Sequence, residues 1–209
     1  MTLARVFKDE LEVGARLQDF GTTKRDWLEV IRVAVGAKRE AVINHPANAA
    51  GQLSYIFGTG AIRDLLRPKG WQIDRTDNIE ATYDPQKGIK IIFQNADSAC
   101  EDFREPKAIS DKGAASVRTI SLSCGNLFPE FEEEDRKRLN ASVWYLFIYV
   151  EGDDVRAELS CPLSIEGNQF YGFSERIFIL KRGEWDALNV VEDDEVPPQV
   201  FDIPVTRKK

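Results

Sequence analysis

Ser142-Val143-Trp144-Tyr145-Leu146-Phe147-Ile148-Tyr149-Val150 carries the clearest signal of architecture in the chain. Nine residues with no break, rich in aromatic and β-branched side chains and apolar on both alternating faces, predict a strand covered from two sides. Its aromatic side chains promise the largest burial in the chain, which puts this strand in the middle of a sheet. Gly152-Asp153-Asp154 then turns the chain, and residues 155–160 return with clean alternation, so a hairpin is expected. A further turn at 165–168 leads to residues 174–180, a last strand or short helix. Upstream, residues 117–123 alternate and predict a short strand.

A second block, residues 51–95, supplies the other half of the sheet and its helices. Apolar groups recur at helical spacing over 51–57 and again over 61–67. Gly58-Thr59-Gly60 between them predicts two short helices or one bent one, with Thr59 as N-cap of the second piece, and Pro68 ends it. Residues 71–75 then read as a strand with Trp71, Ile73 and Arg75 on one side, and residues 79–83 as another. Asp84-Pro85-Gln86-Lys87-Gly88 is a reversal, because proline presets the turn and glycine supplies positive φ. Residues 89–94 return as a third strand of an antiparallel meander. Earlier still, Thr23 with Asp26 three residues on forms a capping-box pattern. It opens a helix to about Glu40 whose apolar face is Trp27, Val30, Ile31, Ala34 and Val35. The expected fold is therefore α+β, with N-terminal helices packed on a mostly antiparallel mixed sheet. Residues 1–21 are expected to be partly ordered, 22–190 a single domain, and 191–209 an extended tail holding Pro197-Pro198 and Arg207-Lys208-Lys209.

The chain has 209 residues, 43% hydrophobic and 30% charged, enough to bury a real core and too apolar for wholesale disorder. No run approaches a membrane span and the first residues lack a signal-peptide core, so no membrane and a cytoplasmic location are expected. The net charge of −7 is uneven. Residues 1–60 balance at +1 and residues 61–120 at 0, while residues 121–209 hold 10 basic against 18 acidic side chains. Nucleic-acid binding by the whole chain is disfavoured by that balance, and a basic protein partner is favoured.

Candidate sites are few. Asn44-His45-Pro46-Ala47-Asn48 holds the sole histidine between two amides, a candidate binding loop in which imidazole could serve as acid, base or ligand, but no nucleophile or acid stands at a diagnostic spacing. Cys100, Cys124 and Cys161 show no Cys-x-x-Cys pair, and a zinc site joining them to His45 has only scattered ligands behind it. Residues 96–113 read as a long loop, and Lys112 to Ser116 with Arg118 offer amides and charge to an anion without the P-loop pattern.

Three resemblances bear on function. The order helix, then strands carrying acids, resembles the opening of restriction-endonuclease-like nucleases; it implies Mg²⁺ held by carboxylates beside a lysine, for which Asp74, Glu80 and Lys90 are the candidates. Lys90 lacks the acid two positions earlier, where Gly88 stands. Gly125-Asn126-Leu127-Phe128 is similar to the bacterial sliding-clamp-binding peptide, with Cys124 in place of its glutamine; the similarity implies Leu127 and Phe128 as binding residues. Residues 44–51 and 174–177 resemble uncharacterised proteins of bacterial phages and mobile elements, which implies a setting around DNA metabolism or defence and names no activity. The leading expectation is a non-enzymatic interaction protein that binds a protein partner and needs no cofactor. The alternative is a metal-dependent nuclease or nucleic-acid binder.

Overall fold

The computed structural model describes residues 4–123 and 137–187. In chain order these form β1 (Arg5–Phe7), α1 (Glu10–Gln18), α2 (Lys24–Arg39), α3 (Ala49–Leu66), β2 (Gln72–Asp74) and β3 (Ala81–Asp84). Next come β4 (Ile89–Asn95), α4 (Ala114–Ser123), β5 (Ser142–Glu151), β6 (Asp154–Glu166) and β7 (Gln169–Leu180). The strands make one sheet in the order β1-β7-β6-β5-β4-β3-β2, so β5 lies fourth of seven, flanked on both sides. It runs parallel to β4, with Ile91 opposite Trp144, and antiparallel to β6. β1 joins β7 in parallel, and the remaining pairs are antiparallel. This is the α+β arrangement that the run at 142–150 predicts.

Period-two alternation divides the sheet into two faces. On the first, Ile91, Phe93, Trp144, Leu146, Ile148, Leu159 and Ile177 meet Leu17, Trp27, Ile31 and Ile62 from the N-terminal helices. On the second, Ile92, Tyr145, Phe147, Phe170 and Phe173 are covered by Ile120 of α4 and by Ala96 and Ala108 of the long connection. Phe147 packs edge to face on Phe170 and Phe173, with ring centroids 5.1 and 5.9 Å apart.

The N-terminal helices follow their capping chemistry. Thr23 accepts from the Asp26 amide and Asp26 reaches back to the Thr23 amide, so the capping box sets the start of α2. Residues 1–21, where the apolar spacing is loose, contain β1 and then α1, whose N-cap Asp9 accepts from the Leu11 amide. β1 needs a parallel partner more than 160 residues away, which no local pattern reveals.

Three expectations are corrected. The break at Gly58-Thr59-Gly60 does not occur, since α3 runs unbroken from Ala49 to Leu66 and Thr59 is inside it, buried. Gly58 is there for proximity: a Cβ at that position would stand 2.2 Å from Phe93 Cε2, so only glycine lets α3 lie this close to β4. Residues 117–123 belong to helix α4, in which Ala115, Ser116, Thr119 and Ile120 share the inward face at helical spacing. Residues 174–180 are strand, part of β7. The β2 strand is shorter than expected, Gln72–Asp74, with Ile73 substantially exposed and Asp74 buried.

The second face carries buried charge as well as apolar side chains. Glu158 on β6 and Arg176 on β7 form a two-pronged ion pair at 2.7 and 2.8 Å with almost no solvent exposure. Glu158 also accepts from the Cys100 amide at 2.5 Å and the Ser160 hydroxyl at 2.9 Å, while Arg176 donates to the Glu101 carbonyl at 2.9 Å. The long connection is thus pinned to the sheet by charge-assisted hydrogen bonds. Lys112, farther along that connection, lies over the rings of Tyr145 and Phe170 and donates to Gln94; burial brings its pKa down to about 8.

Candidate functional site: a groove between α2 and α3

The side chains expected to form a nuclease site do not converge. Asp74 and Lys90 do meet, with Lys90 Nζ 2.6 Å from Asp74 Oδ2 and both side chains buried. Thr76 donates to the same carboxylate through its amide and hydroxyl. Burial by itself would raise the Asp74 pKa, but the hydrogen bonds from Lys90 and Thr76 prevail and hold it below the usual carboxylate value. Glu80 is elsewhere: it accepts from Arg63 of α3, on the first face, and from Arg75 Nε at 3.2 Å. Register puts Asp74 and Lys90 on the second face with Ile92, so the sheet backbone separates the two acids. No cluster of three or more metal-ligating side chains occurs among the described residues.

Asn44, His45 and Asn48 are exposed in the turn between α2 and α3. His45 Nδ1 accepts from the Val42 amide at 3.3 Å, which makes its local role that of a turn-closing acceptor, and Asn48 caps α3 without a side-chain bond. Cys100 lies on the second face, with its sulfur 3.2 Å from the Ala157 carbonyl. Leu127, Phe128 and Cys124, and the tail 191–209, lie outside the described residues.

What the structure does offer is an apolar groove of about 440 Å³ between α2 and α3. Val30 and Val33 of α2 and Ile56, Phe57, Ala61 and Leu65 of α3 line it. The groove arises because the apolar surface of α3 is wider than the sheet covers. Ser54, Gly58, Ile62 and Leu66 recur every fourth residue and face the sheet, Ala61 and Leu65 pack partly against the same core, and Ile56, Phe57 and Gly60 carry the apolar surface round to the rim. Ile56 is 59% and Phe57 51% exposed, large side chains side by side in water. Its remaining lining is acidic: Asp26, Glu29 and Asp64, with no lysine or arginine. Sequence reading singled out none of these as a site. The signal was present in residues 51–66, whose apolar content is too wide around the helix for one buried stripe.

No helix among the described residues is long and apolar enough to cross a membrane. Compared with family models, with curated proteins and with solved structures, the chain matches none, so the groove stands on its own geometry.

Proposed function

We propose that this chain works by binding a protein partner through the α2–α3 face, without catalysis of its own. The observation that carries the reading is the exposed pair Ile56 and Phe57 flooring a groove that the described residues do not fill. Exposed apolar area of this kind, rimmed by polar side chains, is characteristic of interaction surfaces. The resemblance of residues 44–51 and 174–177 to phage and mobile-element proteins is the support for a setting in DNA metabolism or defence. The alternative, a Mg²⁺-dependent nuclease using Asp74, Glu80 and Lys90, has the Asp74–Lys90 contact in its favour and the position of Glu80 against it.

The test uses the full chain and Phe57→Asp, a change at a half-exposed position outside the core. Each is used to capture proteins from a bacterial lysate at low and high salt, and any stoichiometric partner is then purified and rebound. The expected outcome is a partner that rebinds the wild-type chain and loses it with Phe57→Asp while the thermal midpoint stays unchanged. A partner that ignores Phe57→Asp, or Mg²⁺- or Mn²⁺-dependent DNA cleavage abolished by Glu80→Ala, contradicts the reading.

A further inference from the structure

The groove has a direction, and its direction constrains the partner. α2 and α3 are joined by a short connection and pack side by side, so they run antiparallel. That order sets Asp26 near Asp64 and Leu65 at one end of the groove, and Val33 near Ile56 and Phe57 at the other. One end is acidic and one apolar. Of the three carboxylates, Asp26 meets Lys69 at 3.4 Å and Glu29 meets Arg32 at 2.8 Å, while Asp64 has no ion pair among the described residues. Midway stands Gly60, where an added Cβ would meet nothing within 4 Å. The missing side chain opens the floor to an incoming group.

We infer that the groove receives a short amphipathic helix of a partner protein, its apolar stripe over Val33, Ile56 and Phe57 and a lysine or arginine at the acidic end. The inference rests on the protein-binding reading above and adds the chemistry of the partner. Size supports it: the lining of α3 from Ile56 to Leu65 spans about 14 Å at ~1.5 Å per residue. That is room for roughly two and a half turns, hence anchors at i, i+3 or i+4, and i+7. Charge supports it too, through Asp64: Asp26 and Glu29 are already paired with Lys69 and Arg32, whereas a nucleic-acid backbone, an anionic bilayer or an acidic helix would set negative charge against the carboxylate that has no ion pair among the described residues.

The test measures fluorescence anisotropy of three labelled helical peptides of about 14 residues against the full chain. They share one leucine stripe and differ in carrying lysine, glutamine or glutamate on the flanks. The lysine peptide is expected to bind at least about tenfold more tightly than the glutamine peptide, with the glutamate peptide weakest. Asp64→Asn should shrink the lysine advantage, Gly60→Trp should abolish binding by filling the floor, and Gly60→Ala should retain it. Equal binding of the lysine and glutamine peptides overturns the basic-partner inference and leaves the protein-binding reading intact. So does failure of all three peptides while a Phe57-dependent partner is still captured; failure of both experiments removes the reading as well. Binding indifferent to Gly60→Trp, or a dimer in light scattering that Gly60→Trp dissolves, overturns the inference by placing the peptide elsewhere or a second copy in the groove.

Discussion

Arg176→Met is expected to lower the unfolding free energy by about 3–5 kcal/mol, the cost of leaving a buried charge without its partner. Glu158 sits at 0% exposure, and once the guanidinium is gone only the Cys100 amide and the Ser160 hydroxyl remain to stabilise it. The loss should show as a shift of the urea midpoint, with a fall of the thermal midpoint by roughly 2–4 °C per kcal/mol for a chain of this size. Replacing both partners, Glu158→Leu with Arg176→Met, should recover much of the loss, because no unpaired charge is then buried. A single-variant loss below about 1 kcal/mol would mean that the pair is hydrated, as surface pairs are, and would remove the pin proposed for the long connection.

Lys90→Met is expected to cost a similar amount at neutral pH, and here pH separates the causes. Asp74 is held below its ordinary value in the folded chain: burial pushes the pKa up, and the hydrogen bonds from Lys90 and Thr76 more than offset it. A depressed folded pKa gives stability that is fully present above the unfolded value of about 3.9 and is lost as pH falls through the folded one. The wild-type chain should therefore lose stability through this group on acidification below about pH 4. In Lys90→Met the carboxylate is buried without its main donor and the folded pKa rises, so the deficit is greatest near neutrality and narrows as the pH falls toward 4. Paired urea titrations of wild type and variant across that range measure it. A deficit independent of pH would assign the loss to packing, since Lys90 also lies beside the Tyr83 ring.

The sheet was legible where one local pattern had one structural solution. A run apolar on both faces, residues 142–150, has to be covered twice, and the order of strands places it in the middle. The Asp84 to Gly88 reversal and the capping box at Thr23 are local chemistry, and both are found. What failed locally was decided by distant partners. Gly58 and Gly60 look like a helix break by propensity, worth about 1 kcal/mol each, but one is held for contact with Phe93 and the other is part of the groove floor. In α4 the two buried large residues, Ile120 and Leu122, stand two positions apart, and that spacing imitates a strand.

The site was less legible than the fold for a related reason. Asp74 and Lys90 look like solvated acid and base at strand ends, and only strand register turns them into a buried pair. Glu80 is six residues from Asp74 yet belongs to the other side of the sheet. A groove between helices has no motif at all. It shows as a surplus of apolar residues on α3 and becomes a place only when α2 lies alongside.

The most direct measurement of the central claim is an amide chemical-shift map of the full chain titrated with the leucine–lysine peptide. Saturable shifts confined to residues 26–33 and 56–65, with the β6 and β7 amides unmoved, are the predicted result. Shifts centred instead on the opposite face of the sheet, around Tyr83, Lys137 and Arg138, would contradict it.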